Sequence, residues 1–197
     1  VISLVVMAIL ARLLCPDDFG TVAIATVFIN FFAIFTNIGI SSAVVQNKEL
    51  TDHDINEIYM FTIWIGIILS VLFFLSTGFI ADYYQDERLL PICQLLSVNL
   101  FFASAGTVPN TLFFKDKDFK FIAWRTFIIQ ITVGAIAVGA ALLGAGLYTL
   151  LIQPVLSSVL IYFISLKKYP QKFLWTWGIK SIKKIWAYSM YQFLFNV

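Results

Sequence analysis

Six long apolar stretches, separated by short polar ones, run through the chain: 1–14, 21–45, 58–80, 90–114, 121–143 and 147–166. A helix that crosses a bilayer needs about 20 mainly apolar residues, and all but the first stretch reach that length. The first reads as a span that lacks its N-terminal part. Strands buried in a soluble core run only about 4–8 residues, and membrane barrels need short segments in which apolar and polar residues alternate. Neither pattern occurs here. The expected fold is therefore all-α, a polytopic transmembrane helical bundle.

The polar breaks carry their own signals. In residues 15–20, Pro16 suits the first position of a helix, Asp17 and Asp18 suit its N-terminal turn, and Gly20 reads as a stop. Thr51 and Asp54 have the spacing of an N-terminal cap for the third span. Gly144, Ala145 and Gly146 leave room only for a tight hairpin turn between the fifth and sixth spans. Residues 167–184 form a basic connector, and residues 185–197 open a seventh span. Trp175, Trp177 and Trp186 among its lysines read as an interfacial belt touching anionic lipid. The domain organisation expected is an N-terminal bundle over 1–166, the connector over 167–184, and the start of a further span over 185–197.

Composition agrees with a lipid solvent. Apolar residues make up 60%, charged residues 12%, and the mean hydropathy is +0.91, whereas soluble domains carry about 25% charged residues. Residues 1–14 lack the basic start and small-residue cleavage site of a secretory signal. Basic residues sort to one side. Lys48, Lys115, Lys117, Lys120, Arg125, Lys167, Lys168, Lys172, Lys180, Lys183 and Lys184 lie in or beside the connectors after spans two, four and six, and only Arg12 and Arg88 lie on the other side. The positive-inside rule then places the lysine-rich side and the N-terminus in the cytoplasm.

Polar residues within spans are the candidates for function, because an unsatisfied polar group in hydrocarbon is costly. Thr26, Asn30, Asn37 and Ser41 fall within an arc of about 60° at 100° per residue, a stripe that either lines an aqueous cavity or hydrogen-bonds between helices. Thr62, Gly66 and Ser70, four apart, form a small-residue face for close packing. Thr126, Gln130, Gly134 and Ala137 repeat the idea in span five, where Gln130 also suits a cavity. Span four shows two polar faces, Gln94, Ser97 and Ser104 on one and Asn99, Gly106 and Asn110 on the other, as expected of a helix surrounded by neighbours. Pro109 and Pro154 are expected to bend their helices.

Two arginines stand out. Arg12 ends an apolar span on the side poor in basic residues, where a guanidinium either binds an anionic headgroup or snorkels to the interface or pairs with Asp17 or Asp18. Arg125 begins span five as a cavity contact or as an ordinary cytoplasmic anchor. Cys15 and Cys93 form no metal spacing and give no sign of a disulfide. His53 reads as solvated. No metal cluster, phosphate-cradling loop or nucleophile with its base is present in the sequence, so no cofactor or metal is expected, nor is nucleic acid as a partner.

The run ARLLCPDDFG at residues 11–20 resembles the A-R-L-L-x-P-x-D-F-G signature of Wzx-type flippases, in the multidrug/oligosaccharidyl-lipid/polysaccharide exporter superfamily. Residues 22–32, 37–42 and 50–56 add further matches, and the likeness is strongest over residues 8–65. Cys15 departs from the pattern, which usually has a small polar residue there. The resemblance implies a bacterial inner-membrane protein roughly twice this length, with two helical bundles working by alternating access. It also implies a cargo, a sugar repeat unit on a polyprenyl pyrophosphate carrier, moved from the cytoplasmic to the outer leaflet alongside other polysaccharide assembly proteins. On that reading Arg12, Asn30, Asn37, Arg125 and Gln130 are the expected cavity contacts.

Rival readings remain. A drug or metabolite antiporter of the same superfamily would be favoured by an acid inside a span, yet the 11 acids fall in connectors or at span ends. A membrane-embedded enzyme would need clustered carboxylates or a large extramembrane loop. A seven-helix receptor conflicts with a cytoplasmic N-terminus.

Overall fold

The computed structural model describes residues 2–36, 40–47 and 50–171. These form seven helices: α1 Ile2–Leu13, α2 Pro16–Thr36, α3 Ile40–Gln46, α4 Asp52–Tyr84, α5 Leu89–Lys115, α6 Phe119–Leu142 and α7 Tyr148–Lys168. No strand occurs among the described residues. Residues 16–46, with α2 and α3, and the four long helices α4 to α7 are each long and apolar enough to cross a membrane, and α1 is a shorter apolar helix. The fold is the all-α membrane bundle that the pattern of the chain predicts, and the protein is a multi-pass membrane protein. The connector from Lys172, its tryptophans, residues 185–197, Asn37 and Lys48 lie outside the described residues.

Local chemistry sets the helix ends. Pro16 opens α2, with Asp17 and Asp18 in its first turn. Gly20 does not stop a helix, contrary to the sequence reading. It sits one turn inside α2, where glycine costs only about 1 kcal/mol and the start signals at Pro16 outweigh it. At α4, Thr51 accepts a hydrogen bond from the Asp54 backbone N–H, and Asp54 accepts one from the Thr51 backbone N–H at 3.0 Å, a complete capping box. This cap starts α4 well before its apolar run. At about 1.5 Å per residue the helix is near 50 Å long, so both ends project beyond a hydrocarbon core of about 30 Å. The α6–α7 turn places Gly144 at φ 82° and Gly146 at φ 57°, a left-handed backbone that glycine adopts without strain.

The helix α5 is the hub, packing against α2, α3, α4 and α7. The helix α7 lies between α5 and α6, and α1 rests on α6. Lipid is as apolar as these side chains, so close approach and hydrogen bonds hold such helices together more than hydrophobic burial does. The α4–α5 seam shows this. A Cβ on Gly66 would come within 2.9 Å of the Ser104 Cβ. Ser104 Oγ donates to the Thr62 carbonyl at 2.8 Å, and Ser70 Oγ donates to the Ser97 carbonyl at 2.6 Å. The small face of α4 thus meets the Ser97–Ser104 face of α5. On α6, Gly134 gives the same access to Val6 of α1. Pro109 and Pro154 lie inside α5 and α7, and both helices continue through them.

Large apolar side chains cover the outside: Phe79 is 80% exposed, and Leu75 and Val27 are each 68% exposed. Such a surface suits hydrocarbon and not water.

The connectors gather at two ends. At one, Arg88 pairs with Asp17 at 2.8 Å and grips Asp86 through two nitrogens at 3.0 Å, while Thr21 donates to Asp86 at 3.2 Å. The Arg88 guanidinium holds the Asp86 carboxyl below the usual carboxylate range. At the other end Lys168 bonds Asp118 and Tyr169 bonds Asp116. The Lys168 contact lowers the Asp118 carboxyl, and burial followed by the Asp116 contact pushes the Tyr169 hydroxyl up to about 12. Among the described residues the connectors after spans one and three thus meet at one end, and those after spans four and six at the other.

Candidate functional site

The polar chemistry within the membrane spans concentrates in the lysine-rich half of the bundle, where α5, α6 and α7 converge. Arg125, two turns into α6, is only 6% exposed. It donates through one terminal nitrogen to Ser165 Oγ at 2.7 Å and through the other to Asn110 Oδ1 at 2.8 Å. Its guanidinium lies over the Phe113 ring, 5.1 Å from the centroid. Ser165 Oγ sends its own proton to the Ile161 carbonyl at 2.6 Å, which leaves its lone pairs for Arg125. Nearby, the hydroxyls of Tyr59 on α4 and Tyr162 on α7 meet at 2.9 Å.

Two features of Arg125 are unusual. Among the described residues no carboxylate pairs with it, and its Nε has no hydrogen-bond partner. A cation placed in a span without a counter-charge is costly, and the stacking on Phe113 offsets only part of that. The sequence offered this residue two roles, interfacial anchor or cavity contact. In the bundle Arg125 turns inward, because Asn110, Ser165 and Phe113 supply partners between the helices.

Asn110 faces the other way onto two adjoining cavities. One, of about 230 Å³, lies between α3, α5 and α7 and includes Ser41, Thr107, Asn110 and Ser158 in its wall. The other, of about 330 Å³, lies between α3 and α5 and shares Ser41 and Asn110. No described residue in either wall carries a charge. A larger opening at the lysine-rich end has Asp52, His53 and Lys115 at its rim, where His53 is exposed as expected. An apolar groove between α2 and α4 is walled by Phe28, Phe31 and Phe79.

The remaining sequence candidates are dispersed. Arg12 is exposed at the end of α1. It does not take Asp17 or Asp18, as one reading expected, because Arg88 reaches those carboxylates from the α4–α5 turn. Asn30 and Thr26 are exposed on α2, and Thr26 spends its hydroxyl on the Val22 carbonyl at 2.8 Å. Gln130 is half-buried on α6. Arg12 and Arg125 are not brought together: from the Val6–Gly134 contact they run to opposite ends, roughly 20 Å apart by helix rise. Asn110, Ser165, Tyr59 and Tyr162 were not among the site residues expected from sequence. Only the polar face of α5 bearing Asn110 hinted at them. Cys15 is exposed and Cys93 buried, and both are free.

A family model described as "Polysaccharide biosynthesis protein" matches residues 9–197. Among curated proteins, an uncharacterized membrane protein in the cps region of Klebsiella pneumoniae is 24% identical, over 100% of this chain and 41% of its own length. The succinoglycan biosynthesis transport protein ExoT of Rhizobium meliloti is 24% identical, over 98% of this chain and 38% of its own. The lipopolysaccharide biosynthesis protein WzxC of Escherichia coli is 26% identical, over 60% of this chain and 24% of its own. The chain thus spans about two fifths or less of the length of these relatives. No solved structure matches it.

Proposed function

Because the chain belongs to the polysaccharide biosynthesis protein family, we propose that it is the first helical bundle of an exporter that flips lipid-linked saccharide units across the bacterial inner membrane. In this reading residues 1–166 form one of two bundles, residues 167–184 connect them, and residues 185–197 begin the second. The lysine-rich end faces the cytoplasm, and cargo on a polyprenyl pyrophosphate carrier passes from the cytoplasmic to the outer leaflet by alternating access. The protein then acts as a transporter and not as an enzyme.

The observation that carries the proposal is the family match over nearly the whole chain. The uncharged polar cavities around Asn110 support it, since such walls suit hydrophilic cargo. Relatives whose names specify succinoglycan transport and lipopolysaccharide biosynthesis point to the same cargo class. Arg12, Asn30, Asn37 and Gln130 remain proposed cargo contacts, with Arg12 suited to the pyrophosphate because it is exposed and unpaired among the described residues. The antiporter alternative finds no support in the acids: the most inward, Asp54, is committed to the α4 cap.

Deleting the gene in its own host and reintroducing the full-length protein tests the proposal. Surface glycan should disappear, lipid-linked repeat units should accumulate on the cytoplasmic leaflet, and the reintroduced gene should reverse both. Unchanged surface glycan in the deletion strain would end it.

A further inference from the structure

Arg125 has only donors, so the Asn110 atom it holds at 2.8 Å must be the amide oxygen. The same bond commits the other end of the amide. Asn110 Nδ2 takes no acceptor among the described residues and is not sealed from solvent, and Asn110 forms part of both cavity walls. Two N–H donors are therefore presented to the cavities. Two hydroxyls of the smaller cavity wall have spent their protons: Thr107 Oγ1, one turn before Asn110 on α5, donates to the Ala103 carbonyl at 3.1 Å, and Ser158 Oγ on α7 donates to the Val155 carbonyl at 2.9 Å. What these two oxygens present is lone pairs. The walls thus combine the fixed Asn110 amide donor, two hydroxyl acceptors and further neutral polar groups such as Ser41, with no charge from any described residue.

We propose that these cavities are a subsite for an uncharged polyhydroxylated group, one or two sugar rings of the cargo, with Asn110 as its donor and Arg125 as the residue that positions Asn110. The inference rests on the export reading and sharpens it, since it separates the place of the sugar from the place of the pyrophosphate. A sugar hydroxyl both accepts and donates, so it bonds Asn110 Nδ2 and Thr107 or Ser158 at once. A phosphate oxygen carries no proton to give to the lone pairs of Thr107 and Ser158, and the Arg125 guanidinium is committed to Asn110 and Ser165. The two cavities, of about 230 and 330 Å³, lie at or below the small end of ligand pockets, which fits a ring in each and not a whole repeat unit. The burial cost of an unpaired guanidinium gains a purpose here: a neutral donor would leave the amide free to flip.

The test uses the full-length protein in its own host. Phe102, an aromatic in the smaller cavity wall, is replaced by the photo-crosslinker benzoylphenylalanine, and cells are irradiated and probed for glycan attached to the protein. The expected result is a glycan-bearing adduct that falls about tenfold, the worth of one buried hydrogen bond, in Asn110→Leu. Should that variant fail to accumulate, the paired substitutions Thr107→Val and Ser158→Ala leave the Arg125–Asn110 bond intact and should give the same fall. Arg125→Lys, which still donates to Asn110, should keep more of the adduct than Arg125→Met at equal protein abundance. An adduct holding polyprenyl phosphate without sugar overturns the subsite, as does a glycan adduct indifferent to both sets of substitutions. Loss of the adduct's dependence on cargo synthesis would do the same. If instead the deletion strain keeps its surface glycan, it is the export reading that falls.

Discussion

Arg125 and Asn110 meet at 2.8 Å across the α5–α6 boundary, a charged donor and a neutral acceptor inside the membrane-spanning region of the bundle. A charged side chain within a span is costly, and Arg125 carries that cost with no carboxylate partner among the described residues. Against this stands the loss of hydrogen bonds to Asn110 and Ser165, but Asn110 borders open cavities and Ser165 keeps its bond to the Ile161 carbonyl. Arg125→Met should therefore change thermal stability by no more than about 1 kcal/mol, in either direction, while glycan export drops. A thermal scan in detergent beside an export assay separates the two, and a large loss of stability would show that the residue is structural.

The α4–α5 seam depends on the absence of a side chain at Gly66. A methyl group there would meet the Ser104 Cβ at 2.9 Å and the Phe101 carbonyl oxygen at 3.6 Å. Overpacking of this kind costs about 1–3 kcal/mol, so Gly66→Ala should lower the melting temperature of the purified protein. The paired change Gly66→Ala with Ser104→Gly removes the colliding atoms and should recover part of the loss. If the pair is as unstable as the two single losses combined, the contact is not the cause.

The clasp at the Arg88 end is sensitive to acid. Its partner Asp86 has a folded pKa below the ordinary value of about 4. The contribution of the pair is fully present above that value and is lost as the pH falls through the lowered one. Arg88→Gln should thus lower the melting temperature at pH 7, modestly because the pair is exposed. Toward pH 3 wild type and variant should converge. A constant difference across that range would mean that Asp86 titrates normally.

The two cysteines of this chain give a handle on topology. Cys15 is exposed in the α1–α2 turn and Cys93 is buried in α5. If the Arg88 end faces outward, a membrane-impermeant maleimide should label Cys15 in cells whose outer membrane has been opened and leave Cys93 untouched. In a Cys15→Ser background, Lys117→Cys should resist the reagent until the inner membrane is broken. Labelling of Lys117→Cys from outside would invert the proposed orientation and the direction of cargo movement.

How much of this was legible in the chain follows from the range of each interaction. The spans, the Thr51–Asp54 cap, the Gly144–Gly146 turn and the sorting of lysines to one end are local or additive properties. Twenty apolar residues in a row need a bilayer whatever they pack against, and a cap is complete within four residues. The small face of Thr62, Gly66 and Ser70 was visible for the same reason, as a helix repeats its face every few residues. Gly20 misled because a glycine signal is weak against a proline and two acids just before it.

The partners of those faces were decided only in three dimensions. Nothing near Arg125 in sequence shows that its guanidinium turns toward Asn110, 15 residues earlier, and Ser165, 40 residues later. The same holds for Asp17, which meets Arg88 and not the nearer Arg12. Which helix lies beside which depends on side-chain fit along whole helices, with small residues admitting a close neighbour and large ones excluding it. Periodicity says that a face exists, and packing chooses what it meets.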